Sequence, residues 1–297
     1  MSITSNLVRA AFRRGDEKRD AGLTTPEDIR RFDDIPYGPE AGWNLLDVYR
    51  PKDTEGKLPV IVSVHGGGWV YGDKERYQYY CMSLAQHGFA VVNFTYRLAP
   101  EFKFPAPLED TAAVFRWIPE NAEKYGLDPE HVYAVGDSAG AHLLSLYCCL
   151  CTSPGYALAL ALPERAMPAP EAVALNCGVY RTEKKALTGT LGALARDFLP
   201  GKGTEEELHR INVMEQVTGN FPPAFIMTAE GDFLAGQARP LAEKLQALGA
   251  YAEYHYYGDK DHVLGHVFHC NMRLEEAKKC NGDECAFFRW IYAEGRP

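Results

Sequence analysis

The sequence predicts a doubly wound α/β protein with a mostly parallel sheet. Two observations lead to this fold class: short apolar runs recur along the chain, and stretches of helical periodicity separate them. Strands that are apolar along their whole length are typical of a parallel sheet, because helices cover both of its faces. A length of 297 residues fits one such domain as well as two smaller ones. Since the alternation continues over most of the chain, we expect a single domain over residues 1–297.

The composition excludes several classes of protein. Hydrophobic residues make up 46% of the chain and charged residues 24%, which rules out a disordered chain or a coiled coil. The formal net charge is −9, and an acidic balance argues against nucleic-acid binding. No apolar run reaches the length of about 18 residues that a membrane span needs. We therefore expect neither nucleic acid nor a membrane as a partner.

The N-terminus and the cysteines predict a cytoplasmic location. Residues 1–6 lack the basic and apolar segments of a secretory signal, although a secreted protein whose signal had been removed would look the same. Of eight cysteines, Cys148, Cys149 and Cys151 cluster in one apolar helical run, where disulfide geometry is hard to satisfy. Reduced, buried thiols are typical of cytoplasmic proteins.

Residues 1–30 are predicted to form a helical N-terminal cap or arm. Leu7, Val8, Ala11 and Phe12 recur at the spacing of an apolar helical stripe. The Thr-Pro-Glu-Asp segment at 25–28 is typical of a helix start, with an N-cap, then proline, then acidic residues.

The rest of the chain alternates between strands and helices, with one interruption. The predicted strands are 43–49, 58–64, 89–94, 131–136, 172–175, 224–228 and 251–257. The predicted helices are 76–87, 108–125, 139–151 and 236–248. The stretch 178–220 is too long for a plain loop and mixes glycines with an acidic run. We expect it to be a helical insertion over one end of the sheet.

The strongest chemical signal is Gly-Asp-Ser-Ala-Gly at 136–140, which ends a predicted strand and begins a predicted helix. This is the context of a nucleophile elbow, in which small neighbours allow a sharp turn that exposes one hydroxyl, here that of Ser138. Gly-x-Ser-x-Gly alone often occurs by chance, so the prediction depends on the strand and helix around it.

A second signal is His-Gly-Gly-Gly-Trp at 65–69, again directly after a strand. Three glycines leave backbone N–H groups free to turn toward one point, where they could stabilise an oxyanion. A plain glycine-rich turn is the alternative, and the nearby serine elbow favours the oxyanion site. A phosphate cradle is not expected, because neither phosphate-binding glycine pattern is present.

Taken together with Tyr-Arg-Leu-Ala-Pro-Glu at 96–101, these motifs resemble the bacterial hormone-sensitive-lipase-like esterases of the α/β-hydrolase fold. The resemblance covers about residues 43–290, and segment 46–51 also resembles the xylan- and feruloyl-esterase-like branch of that fold. It implies an eight-stranded sheet with a helical cap or insertion. It also implies a catalytic triad in the order Ser, Asp, His.

For the acid, the resemblance favours Asp232 in Asp-Phe-Leu at 232–234, with Glu230 and Asp259 as weaker alternatives. For the histidine, His266 matches the family's His-Gly-Phe best, although Val267 replaces the glycine. The alternative, His262, lies nearer the usual distance from the last strand.

The resemblance further places the oxyanion hole at the backbone N–H groups of Gly67, Gly68 and Ala139. Trp69 and Tyr71 are candidate substrate-binding residues, and no metal or organic cofactor is needed.

The expected function is a serine carboxylesterase that cleaves short-chain acyl esters, including acetyl esters of carbohydrates, through an acyl-enzyme. An amidase, a lactonase or an acyltransferase on the same fold is the alternative, and a non-catalytic binding protein is a more distant one. The expected partner is a small-molecule ester. The N-terminal arm and the resemblance also suggest a homodimer.

Overall fold

The computed structural model describes residues 2–160 and 168–295, so Met1 of the predicted N-terminal helix and parts of the predicted domain 1–297 lie outside it. Within these residues eight strands form one sheet, in the order β1-β2-β4-β3-β5-β6-β7-β8. The strands are β1 (Ile29–Pro36), β2 (Leu45–Pro51), β3 (Leu58–Val64), β4 (Ala90–Phe94), β5 (Leu127–Asp137), β6 (Val173–Asn176), β7 (Ala224–Ala229) and β8 (Ala252–Tyr257). Only β2 runs antiparallel to its neighbours β1 and β4. The predicted doubly wound, mostly parallel sheet is confirmed.

Helices cover both faces of the sheet. They are α1 (Ile3–Asp20), α2 (Lys74–Ala85), α3 (Ala106–Tyr125), α4 (Ala139–Thr152), α5 (Pro154–Ala159), α6 (Gly189–Phe198), α7 (Glu205–Arg210), α8 (Val213–Gln216), α9 (Ala235–Ala247) and α10 (Glu275–Glu294). Because side chains of a strand alternate between faces, Val60 and Val62 of β3 join a core with α3, α4 and α9. Ile61 joins a second core with α2 and α10. None of the helices in the described residues is long and apolar enough to cross a bilayer.

The N-terminal region differs from the sequence prediction. The first helix ends at Asp20, residues 21–28 form turns and irregular chain, and the predicted helix start at 25–28 leads instead into strand β1. This strand carries charged, exposed side chains such as Arg30. It lies at the edge of the sheet, where one side of the strand has no partner, and charge is common at such edges. It therefore shows no apolar run that would have marked it as a strand.

Polar contacts hold α1 across the carboxyl ends of the strands. The Arg9 guanidinium donates to the backbone oxygens of Val70 and Ala99 and pairs with Glu101 at 2.6 Å. Ser2 and Ser5 bond to Asp197 of α6. As a result α1 and α6, the first helix of the 178–220 stretch, lie next to each other.

Candidate active site

The turn between β5 and α4 holds Ser138 in a conformation that small neighbours make possible. Ser138 has φ 51° and ψ −115°, an unusual conformation for a residue with a side chain. A Cβ on Gly140 would lie 2.0 Å from the backbone oxygen of Val64, so only glycine fits there. The Ser138 N–H donates to the backbone oxygen of Asn176 at 2.9 Å. The strand end and the helix start therefore fix the position of the hydroxyl.

The loops after β7 and β8 bring an acid and a histidine to this serine. The distance from His266 Nε2 to Ser138 Oγ is 3.0 Å, and the distance from His266 Nδ1 to Asp232 Oδ1 is 2.6 Å. These distances place the predicted nucleophile, base and orienting carboxylate within hydrogen-bonding reach of one another, as a triad requires.

The alternative residues lie elsewhere. The side chain of His262 is 59% exposed and pairs with Glu276 at 2.6 Å. Glu230 accepts a hydrogen bond from Tyr256, and Asp259 accepts hydrogen bonds from backbone N–H groups of its own loop. Among the acids and histidines named from the sequence as triad candidates, the structure therefore brings only Asp232 and His266 to Ser138.

The protein environment holds Asp232 in its ionised form. Burial by itself would raise the pKa of this carboxyl group, but the hydrogen bond and charge of His266 and the hydroxyl of Thr228 outweigh burial, and the pKa is lowered. Thr228 Oγ1 donates to Asp232 Oδ2 at 2.6 Å, and the N–H of Leu234 donates to Oδ1 at 2.9 Å. A carboxylate with these donors is fixed in position to orient the His266 ring.

The glycine loop after β3 lies beside the serine and requires its glycines. Gly67 has φ 116°, and a Cβ there would lie 2.1 Å from the backbone oxygen of Tyr71. The ring of His65 is buried and stacks on Tyr96 at 4.0 Å. Burial lowers the pKa of His65 to about 4, so this ring is a neutral structural part of the loop.

A cavity of about 430 Å³ opens at Ser138. Gly67, Gly68 and Ala139, the predicted oxyanion residues, line it together with His266. The other lining residues are mostly apolar and come from α1, α6 and the loops after β6, β7 and β8. They include Ala11, Phe12, Val179, Leu191, Leu194, Phe233, Leu234 and Val267.

The two predicted substrate-binding aromatics contribute unequally to this cavity. Trp69 lines it, but its indole is fully buried, stacked on Phe198 at 5.0 Å and bonded to His142 at 3.2 Å. Tyr71 also lines the cavity, and its hydroxyl donates to Asp16 of α1 at 2.8 Å. Residues 1–30 were predicted to form a cap or arm, but no local pattern indicates that α1 lines this cavity, since its contact with the body depends on the path of the chain.

Two buried carboxyl groups lie next to the residues that hold Ser138 in place. Asp137 accepts hydrogen bonds from the Tyr77 hydroxyl at 2.8 Å and the Gly66 N–H at 3.1 Å, and burial raises its pKa to about 6. Glu284 of α10 accepts from Asn176 at 2.6 Å and from Tyr80 at 2.9 Å, and burial raises its pKa to about 7. Asn176 is the residue whose backbone oxygen holds the Ser138 N–H. Asp137 belongs to the Gly-Asp-Ser-Ala-Gly motif, but the motif assigned no role to its side chain. No sequence pattern placed Glu284 in this region.

The raised pKa of Glu284 predicts a pH-dependent contribution to stability. Because the folded state favours the protonated form of Glu284, the contribution of this group to the stability of the fold is complete below its ordinary pKa of 4.5 and is lost as the pH rises through about 7. Relative to Glu284→Gln, the free energy of unfolding of the wild type should fall by roughly 2 to 3 kcal/mol between about pH 5 and pH 8. Urea unfolding of both proteins at each pH measures this difference. A difference that stays constant with pH would contradict the prediction.

The chain belongs to the α/β hydrolase fold family, whose model matches residues 61–266, more than half of the chain. The match begins in the strand before the His-Gly-Gly-Gly turn and ends at His266. The predicted resemblance is confirmed at the level of this family.

Several esterases are similar to this chain. Esterase LipQ of Mycobacterium tuberculosis is 30% identical over 226 residues, which cover 73% of this chain and 53% of LipQ. Carboxylesterase NlhH of the same organism is 32% identical over 214 residues, which cover 69% of this chain and 66% of NlhH. The chain thus spans between about half and two thirds of the length of these curated relatives. The crystal structure of inhibited esterase B from Lactobacillus rhamnosis matches with a TM-score of 0.87 and 26% identity, over 99% of this chain and 98% of that one.

Proposed function

We propose that this protein is a serine carboxylesterase that hydrolyses short-chain acyl esters through an acyl-enzyme on Ser138. The observation that carries the proposal is the chain of hydrogen bonds from Ser138 through His266 to Asp232 at the wall of a mostly apolar cavity. The names of the similar proteins, which are esterases, support the same reaction class.

In this proposal His266 acts as the general base. It takes the proton of Ser138 while the hydroxyl oxygen attacks the ester carbonyl carbon, and Asp232 stabilises the charged imidazole. Backbone N–H groups of Gly67, Gly68 and Ala139 stabilise the oxyanion; Ala139 begins helix α4, whose N-terminal end favours negative charge. His266 then returns the proton to the leaving alcohol. Water, activated by the same ring, attacks the acyl-enzyme and releases the acid.

The cavity supports a small, apolar acyl ester as the substrate. A volume of about 430 Å³ is near the lower end of the range of roughly 300 to 1,000 Å³ that is typical of ligand sites. The polar side chains that line it besides Ser138 and His266 mostly pair with one another: Asp16 with Tyr71 and Arg19, and Tyr77 with Asp137, which leaves Thr190. An acetylated carbohydrate would leave most of its hydroxyl groups against apolar side chains, so we favour simple aliphatic esters.

Hydrolysis of p-nitrophenyl esters from acetyl to decanoyl tests this proposal. We expect kcat/KM to be highest for acetyl or butyryl esters and to fall for longer chains, because the cavity is small. A p-nitroanilide with the same acyl group tests the amidase alternative and should be turned over far more slowly. Absence of turnover for every ester in the series would contradict the proposal.

Leu194 of α6 is expected to limit the length of the acyl chain. A Cβ on Gly68 would lie 2.7 Å from Cδ1 of Leu194, so the leucine lies against the glycine loop. Because the leaving alcohol must face His266, the acyl chain extends toward the other wall of the cavity. Leu194→Ala should raise the ratio of kcat/KM for octanoyl to that for butyryl esters by roughly tenfold, since each buried methylene contributes about 0.8 kcal/mol.

The matched control for this prediction is Phe233→Ala. The Phe233 ring lies 4.4 Å from the His266 ring, on the side of the leaving group. Its replacement should leave the preference for acyl length nearly unchanged. If both variants change that preference equally, the acyl chain does not lie along Leu194.

The homodimer and the cytoplasmic location stay predictions from the sequence.

A further inference from the structure

Cys177 is a thiol at the active site that the proposed mechanism does not use. Cys177 directly follows β6, and Asp232 and His266 lie in the loops after β7 and β8. Because these three strands are adjacent and parallel, all three side chains lie at the same edge of the sheet. Its Sγ, a carboxylate oxygen of Asp232 and a ring nitrogen of His266 all lie within 4.8 Å of one another. In the described part of the chain this is the only such group of three metal-ligating side chains.

We propose that Cys177, Asp232 and His266 form an inhibitory site for a soft divalent cation such as Zn²⁺. Thiolate, carboxylate and imidazole are the ligand types that zinc prefers. Tetrahedral bonds of about 2.0 to 2.3 Å would place the donor atoms about 3.4 to 3.6 Å apart. To hold the cation, Asp232 Oδ1 and His266 Nδ1 would have to separate from their present 2.6 Å to this spacing, with water as the fourth ligand.

The thiol is held beside the triad in the absence of metal. Cys177 is fully buried, has φ 48°, and its N–H donates to the backbone oxygen of Met227 at 2.8 Å. Burial and the charge of Asp232 raise its pKa, so the sulfur carries a proton until a cation replaces it. The His266 side chain is 20% exposed and lines the cavity, which gives a cation a route to the site.

Binding at this position would disable the general base. A cation on Nδ1 takes the place of the ring proton that faces Asp232, and the neutral ring then carries its proton on Nε2. That nitrogen lies 3.0 Å from Ser138 Oγ and could no longer accept the proton of the serine. The thiol proton of Cys177 is released to solvent. The inhibition rests on the proposed function, whereas the binding of the cation does not.

Two measurements on wild type, Cys177→Ala and Cys177→Ser test the site. Titration with Cd²⁺, a thiolate-seeking substitute for Zn²⁺, should produce a thiolate-to-cadmium absorption band in the wild type that both variants lack. Titration with Zn²⁺ should inhibit p-nitrophenyl butyrate hydrolysis reversibly, with activity restored by EDTA. The apparent inhibition constant, measured against each variant's own uninhibited rate, should rise at least about tenfold without the thiol. Cys151→Ala, which removes a half-buried cysteine of α4, is the control and should behave like the wild type.

Equal Zn²⁺ inhibition of the wild type and the Cys177 variants would overturn the site, as would a cadmium band that persists in the variants or is absent from the wild type. If no ester is hydrolysed, the proposed function fails, and the cadmium titration still decides whether the cation binds.

Discussion

Replacement of Ser138 by alanine is expected to lower kcat/KM for p-nitrophenyl butyrate by roughly four to six orders of magnitude. The hydroxyl is the only nucleophile within 3.0 Å of His266 Nε2 in the described residues, and its removal leaves oxyanion stabilisation and binding alone. The alanine side chain also fits the turn, so the fold should persist. Steady-state hydrolysis and circular dichroism of both proteins measure the two effects.

Ser145→Ala is the matched control for this experiment. Its hydroxyl lies on the same helix and donates to the backbone oxygen of Ala141 at 2.7 Å, away from the triad. We expect it to retain activity near that of the wild type. A fluorophosphonate probe should label the wild type and Ser145→Ala but not Ser138→Ala. Equal turnover by wild type and Ser138→Ala would show that the measured hydrolysis does not involve this serine and would contradict the acyl-enzyme.

Replacement of His266 by alanine should lower kcat/KM by a similar factor, whereas the kcat/KM of His262→Ala should stay within about twofold of the wild-type value. His266 contacts both Ser138 and Asp232, and without it no base can take the serine proton. His262 lies near the surface, and its replacement removes only an exposed contact with Glu276; such exposed contacts contribute little. The measurement is kcat/KM for the butyryl ester in parallel preparations.

The two histidine variants control for each other, since each removes one imidazole from the same loop region. The triad assignment would be wrong if His262→Ala were inactive and His266→Ala retained near-normal turnover. Loss of activity in both, with native circular dichroism, would point to a change in the path of the loop.

Much of this fold is local in origin and was therefore predictable. Buried strands such as β3 are continuous apolar runs, and β3 has the predicted bounds of Leu58–Val64. The elbow at Ser138 and the loop at Gly67 are also local, because each needs small residues at fixed positions in a short segment. Strand β1 was missed because an edge strand can be charged, and its partner β2 defines it more than its own pattern does.

The sequence by itself determined the fold class, the sharp turn that presents Ser138 and the glycine loop beside it. Short-range steric limits on the backbone fix these features, so residues that are neighbours in the sequence are enough to predict them. Only the tertiary structure decided which histidine reaches Ser138, and that Phe12, Leu194 and Cys177 lie at the same site. Those residues are far apart in the chain, and their meeting depends on the order of strands in the sheet and the path of each loop. No pattern within a single segment carries that information.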